Sequence, residues 1–409
     1  MAVKVTRMTA DQVAERLGVR RETVYAYVSR GLLSRVVDED GRTSLFDPAE
    51  VETLARRGRP GRAGRRAGAV DVVLASGITR LRDDGLLYRG HEVTALAGHH
   101  PFEDVAELLW TGALRAVDEW TAPPAAREAA RRATATLPPE CPVDARLAVV
   151  TAAVSAVQPL RADLRPATVA HHARALVATF AEALPAVDGA RRDAGARSVA
   201  ARLWPALSPL RPTPARVRLL DAALVLLADH ELATSTLAAR VAASTRADPH
   251  AVVLAGLGAV AGPLHGRAGM AAHRLLLDAE ERGADAALST ALEAHTTLPG
   301  FGHVLYRGPD PRAARLLELL PELAGRRLPR AVEEVADRAA AATGLAPNVD
   351  FALAALAATT RMAPGATEAV FVVARTAGWI AHALEEYGEA PLRFRATAVY
   401  AGPVSAGSS

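Results

Sequence analysis

The chain has 409 residues, of which 50% are apolar and 23% charged, and its formal net charge is only +3. That length can hold two or three domains with a large buried core, and the apolar share excludes a disordered polyelectrolyte. One cysteine, Cys141, excludes an internal disulfide and any multi-cysteine metal site, which fits a reducing cytoplasm. The start, Met1-Ala-Val-Lys-Val, carries no apolar signal core. The most apolar runs, such as 251–262, are shorter than the roughly 20 residues of a membrane span and read as buried helices of a soluble protein.

Charge is unevenly spread. Residues 1–69 carry 14 basic and 9 acidic side chains, and the remainder carries 34 and 36. A basic end on a nearly neutral body points to a polyanionic partner for that end. Thr9 can cap a first helix, with Gln12 completing a capping box and Val13, Ala14 and Leu17 forming the apolar face. Gly18 ends it, and residues 20–30 form a second helix stopped by Gly31. Leu33 to Val37 and Thr43 to Phe46 alternate like strands around the turn 38–41, and Asp47-Pro48 opens a third helix. Residues 1–58 therefore read as a winged helix-turn-helix. The words Ala14-Glu-Arg-Leu-Gly18, Val24-Tyr-Ala-Tyr27 and Gly31-Leu-Leu33 resemble DNA-binding domains of the mercury-regulator and excisionase class. That resemblance implies a second helix in the major groove, with Arg20, Arg21 and Arg30 as DNA-contact candidates.

Residues 59–69 are a basic Gly/Pro/Arg linker. From residue 70 the chain becomes a series of Ala/Leu-rich amphipathic segments broken by Pro and Gly, rich in helix formers and without repeats or a metal-ligand pattern. Phe102, Val105, Ala106, Leu108 and Leu109 recur at helical spacing and predict one apolar helix face. His99-His100 and His171-His172 lack supporting context and read as surface or loop histidines.

Three separated segments carry proton-moving groups: Gly262-Pro-Leu-His265-Gly266, Leu298-Pro-Gly-Phe-Gly-His303 and Pro347-Asn-Val-Asp350-Phe351. Two imidazoles and a carboxylate are the minimum for removing a proton beside a carbonyl while another group supplies one to oxygen. Their order resembles citrate synthase, and further matches extend over roughly residues 70–405. Leu86-Leu-Tyr-Arg-Gly90 and the segment 102–110 resemble the family's "YRG" turn and "FEEVAYLLW" helix. Asp229-His230-Glu-Leu-Ala-Thr-Ser-Thr236 resembles "DHELNAST". Asp310-Pro-Arg312, Phe371-Val-Val-Ala-Arg375 and Arg395-Ala-Thr-Ala-Val-Tyr-Ala-Gly402 match further motifs.

The resemblance implies a mainly all-α fold: a large domain (70–264 and 362–405) and a small one (265–361) closing over the substrate, with a tail at 406–409. It implies Claisen condensation of acetyl-CoA with oxaloacetate and hydrolysis of citryl-CoA, with no cofactor and no metal. Asp350 would be the base, His265 the stabiliser of the enol and His303 the acid at the ketone. His230, Arg312, Phe371, Arg375 and Arg395 would hold substrate, and Arg395 would reach into the partner site of a homodimer. Propionyl-CoA, giving 2-methylcitrate, stays open, because one methyl group shifts preference by only about 1–3 kcal/mol. So does a DNA-binding regulator with a metabolite-sensing body.

The family's "HGGAN" is here His265-Gly-Arg-Ala-Gly269, "Tyr-Ser-Gly" after the Asp-Phe pair is Ala352-Leu-Ala, and the terminal "RPR" is Arg395-Ala-Thr. These departures touch CoA contacts and acyl selectivity. Arg393 is the candidate substitute for the missing arginine.

Overall fold

The computed structural model describes residues 7–17, 19–29, 32–38, 43–48, 50–51, 54, 72–82, 85–262, 265–294, 297–303, 305–306, 308–324 and 329–397. Arg30, Gly31 and most of the wing turn and linker lie outside the described residues. The chain divides into two compact units, Met1–Gly77 and Ile78–Ser409.

In the first unit helices Ala10–Leu17 and Arg21–Ser29 pack beside a small antiparallel sheet. The capping box forms: Thr9 N–H donates to Gln12 Oε1 at 2.9 Å and Gln12 N–H to Thr9 Oγ1 at 3.4 Å. The two expected strands, Arg35–Val37 and Ser44–Phe46, are joined by a third, Met8–Thr9, which pairs Met8 with Phe46. Alternation could not reveal a strand of two residues. Val13, Val24, Phe46 and Val51 are fully buried and hold the unit together.

The second unit is mostly helical. It opens with a three-stranded antiparallel sheet, Thr79–Leu81, Leu86–Tyr88 and His91–Glu92. The turn between the last two strands places Arg89 and Gly90 at φ 49° and 92°. Helix punctuation follows the sequence. Ser198, Thr213, Asp248 and Asn348 accept N–H groups of the first turns they cap. Pro124, Pro166, Pro214 and Pro249 occupy first helical positions, where a missing N–H costs nothing.

The 22-residue helix Ala366–Tyr387 is the centre of the unit, packed against Phe102–Thr111, Pro166–Ala183, Pro214–Leu227, Thr234–Ser244 and Pro249–Val260. Close approach depends on Gly256, where an added Cβ would lie 2.6 Å from the Trp379 ring. A second group centres on Val349–Thr359, against which Ala268–Arg282 and Pro311–Ala324 each pack.

Two expectations need correction. Phe102–Trp110 is buried on all sides, not on one face, and carries Glu103, Asp104 and Glu107 inward. Burial is tolerated because each acid is answered: Glu107 by Arg174 at 2.9 Å, Glu103 by Val199 N–H at 2.6 Å and Asp104 by Val117 N–H at 3.1 Å. His171 and His172 lie within helix Pro166–Ala183, and His172 is buried with its ring 5.8 Å from that of His250. Adjacent helical residues point about 100° apart, so one of the pair faces inward while His171 stays exposed.

Candidate active site

The segments ending in His303 and Asp350 are stitched together by backbone. Gly302 N–H donates to Ala346 carbonyl at 2.9 Å, Asn348 N–H to Gly300 carbonyl at 2.9 Å, and Asn348 Nδ2 to Gly302 carbonyl at 2.8 Å. Gly300 must be glycine: its φ is 84°, and a Cβ there would lie 2.9 Å from that of Phe351. Asn348 also caps the helix that presents Asp350, accepting from Asp350 N–H at 3.0 Å.

The His265 segment folds back on the helix before it, with Gly266 N–H on Val260 carbonyl at 3.0 Å. It passes directly beside the carboxylate, since a Cβ on Gly269 would stand 3.6 Å from Asp350 Oδ1. This is the position where the family pattern has Asn. Arg267, also off pattern, approaches Asp144 at 3.7 Å.

Each histidine is held neutral. Burial, reinforced by Arg375, lowers His265 to a pKa of about 4. Its Nε2 lies 2.8 Å from Ser235 Oγ, which also accepts the indole N–H of Trp379 at 3.2 Å. Because an indole only donates, the serine proton is free to go to His265 Nε2, leaving Nδ1–H as the donor of that ring. Burial also lowers His303, with Arg312 adding to the effect. Its Nδ1 accepts Leu305 N–H at 3.0 Å, so the ring proton sits on Nε2, 3.4 Å from Arg312 Nη2. Two donors facing each other at that distance bind nothing between themselves and form a place for a shared oxygen acceptor. His230, 6% exposed, is pushed well below the ordinary imidazole range by burial and then by Arg312 and Arg375.

Arg312 and Arg375 are 3% and 2% exposed. Burial opposes the charge of Arg312, but Asp310 more than offsets it, gripping the guanidinium at 3.0 and 2.8 Å. The same carboxylate accepts Val349 N–H at 3.1 Å, tying the arginine to the helix of Asp350. Arg375 donates from Nε to Leu227 carbonyl at 3.0 Å and stacks 4.8 Å over Phe371, whose ring meets His265 edge-on at 5.8 Å. Burial raises Asp350 to a pKa of about 6, with Asp310 adding to the rise and Arg312 and Arg375 opposing it. Among the described residues nothing donates a hydrogen bond to its carboxylate, so a base of usable strength is left free.

The fold thus gathers His230, His265, His303, Arg312, Asp350, Phe371 and Arg375. It does not bring Arg395 to them: that residue is exposed after the last helix, with its N–H on Arg393 carbonyl at 3.2 Å. Arg393 cannot replace a substrate arginine in this state, because Glu386 holds its guanidinium with two contacts of 2.6 Å. Arg20 and Arg21 are exposed in the first unit, with Arg21 3.4 Å from Asp11. Sequence reasoning missed Tyr306, Asp310, Ser235 and the pair Asp229–His382 (3.3 Å) as supports. Asp229, Ser235 and Asp310 lay inside the motifs and carried a signal, as did His382, which ends the family-like segment running on from Arg375 through Trp379; Tyr306 did not. No group of three or more His, Cys, Asp or Glu among the described residues could hold a metal, and no helix there is long and apolar enough to cross a membrane.

Comparison with known proteins agrees. A family model for "Citrate synthase, C-terminal domain" matches residues 69–395, and a helix-turn-helix domain model matches residues 7–59. The chain is 29% identical to citrate synthase 2 of Bacillus subtilis, covering 81% of this chain and 94% of the relative. It is 31% identical to a 2-methylcitrate synthase of Shewanella oneidensis, covering 80% and 90%. The citrate synthase structure from Pyrobaculum aerophilum superposes with a TM-score of 0.68 at 26% identity, over 81% of this chain and 91% of that one. With a helix-turn-helix domain ahead of an acyltransferase body, the chain belongs to the citrate synthase family.

Proposed function

We propose that the body condenses acetyl-CoA with oxaloacetate and hydrolyses citryl-CoA to citrate and CoA. The observation that carries this is the combination of neutral imidazole donors, a carboxyl group poised near pKa 6 and two buried arginines in one place. Arg312 and Arg375, with His230, hold the keto dicarboxylate. Asp350 takes a proton from the acyl methyl group while His265 Nδ1–H donates to the thioester oxygen, giving a neutral enol. Its carbon attacks the ketone, and His303 Nε2–H protonates the new alkoxide. Water then cleaves the thioester and releases CoA thiol. The scheme uses side chains and substrates alone and needs no cofactor.

Exclusion of water before enolisation calls for closure, for which residues 265–361 are the small domain, with His265 and Asp350 near its hinges. Arg395, exposed in the single chain, completes the neighbour's site in a cytoplasmic homodimer. Residues 1–58 bind DNA through Arg20, Arg21 and Arg30.

The test is oxaloacetate-dependent thiol release from acetyl-CoA and propionyl-CoA side by side. Acetyl-CoA is expected to be preferred. The second reading, 2-methylcitrate synthesis, is favoured by the relatives of that name and holds if propionyl-CoA wins. Release with neither substrate would leave a DNA-binding metabolite sensor.

A further inference from the structure

We infer that Tyr306 is a positioning residue of the keto-acid site, fixing His230 as the tautomer that presents Nδ1–H to the substrate and bracing the ring of His303. The inference rests on the keto-acid site proposed above.

Tyr306 is 7% exposed, and its hydroxyl lies 2.9 Å from His230 Nε2. Its ring packs against that of His303 at a tilt of 43°, with centroids 4.8 Å apart, and meets His230 at 5.7 Å. The Arg312 guanidinium lies 5.9 Å from the ring centroid. One side chain therefore touches three residues of the candidate site.

The direction of the hydrogen bond follows from what each group can do. His230 is kept neutral by burial and by the neighbouring arginines, so it has one lone pair and one proton. Burial pushes the phenol up to about 12, so it keeps its proton at neutral pH. Among the described residues His230 Nε2 is the one partner of the hydroxyl. With a single partner, the proton of the phenol is used only if the hydroxyl donates. His230 Nε2 is then the acceptor, and the proton of the ring stands on Nδ1. The cation pair Arg312 and Arg375 attracts the carboxylates of the substrate but does not set the orientation of an imidazole; the phenol does.

Tyr306→Phe removes the hydroxyl and keeps the ring packed against His303. The expected result is a rise of about tenfold in KM for oxaloacetate, the effect of one lost buried hydrogen bond. Turnover should stay within about threefold and KM for acetyl-CoA should be unchanged. Circular dichroism and thermal melting check the fold. Independently of activity, nitrogen-15 NMR of the wild-type protein with labelled histidine should show His230 protonated at Nδ1, and the variant should lose that preference. An unchanged KM for oxaloacetate, or a wild-type His230 protonated at Nε2, overturns the proposal. If the wild-type protein catalyses no thiol release and binds no keto dicarboxylate, the functional reading fails. The NMR result then still decides the tautomer, and the phenol keeps only its structural half.

Discussion

The two units use arginine in opposite ways. In the body Arg240, Arg312 and Arg375 are almost wholly buried, each fixed by carboxylates, carbonyls or a ring. In the first unit Arg20 and Arg21 stand at the surface. A buried, braced guanidinium has lost its freedom and hydration before the ligand arrives, so it can select geometry. A surface guanidinium is screened and mobile, and suits a repeated polyanion read mainly through charge. One chain thus carries buried, pre-fixed arginines in its body and, in its first unit, arginines left at the surface.

The largest expected effect breaks the body without touching the first unit. Asp350→Ala should lower turnover about 10²–10⁴-fold, the usual contribution of a general base, while calorimetry still shows oxaloacetate binding. Near-normal turnover would place the base elsewhere.

Next in size is the buried charge network behind the site. Glu386, fully buried, answers both Arg240 and Arg393. Glu386→Ala removes one of the two carboxylates on buried Arg240, leaving Glu385 at 2.9 Å, and should destabilise the body by about 1.5–3 kcal/mol in urea titration, the range of a lost charged hydrogen bond. A loss below about 1 kcal/mol would mean that water reaches Arg240.

The pH dependence sharpens the comparison further. Asp350 works ionised, and burial has raised it to about 6. Activity should therefore be level above about pH 7 and fall about tenfold per unit once pH drops below about 6, measured as kcat/KM for the acyl-CoA. A profile flat from pH 7 down to 5 would show an ordinary exposed carboxylate at work.

The smallest effect tests the independence of the two units. Removing residues 1–69 should change basal turnover by less than about threefold, the range in which no transition-state contact is lost. In the full chain, Arg20→Ala with Arg21→Ala should weaken a gel shift of duplex DNA and reduce its salt dependence, leaving catalysis unchanged. Loss of activity on truncation would show that the body needs the first unit.

Much of this protein was legible in the sequence because the signals were local. Thr9 with Gln12, the prolines at first helical positions, Asn348 before Asp350 and the apolar runs each act within one or two turns. The linear order of motifs was likewise enough to group His265, His303 and Asp350 before any coordinates. Three things could not be read that way, because they depend on residues distant in the chain meeting. The burial of Glu103 and Glu107 on a helix that looked one-sided required Val199 and Arg174 to arrive from elsewhere. The inward turn of His172 depended on which helix packs against it, beside His250. The protonation states of the site depended on Ser235 with Trp379, on Asp310 and on Tyr306. Sequence by itself determined which elements form and which chemical groups are available. Tertiary structure decided which of those groups lose water and which proton each one holds, because desolvation and pairing are properties of the assembled environment and not of a residue type.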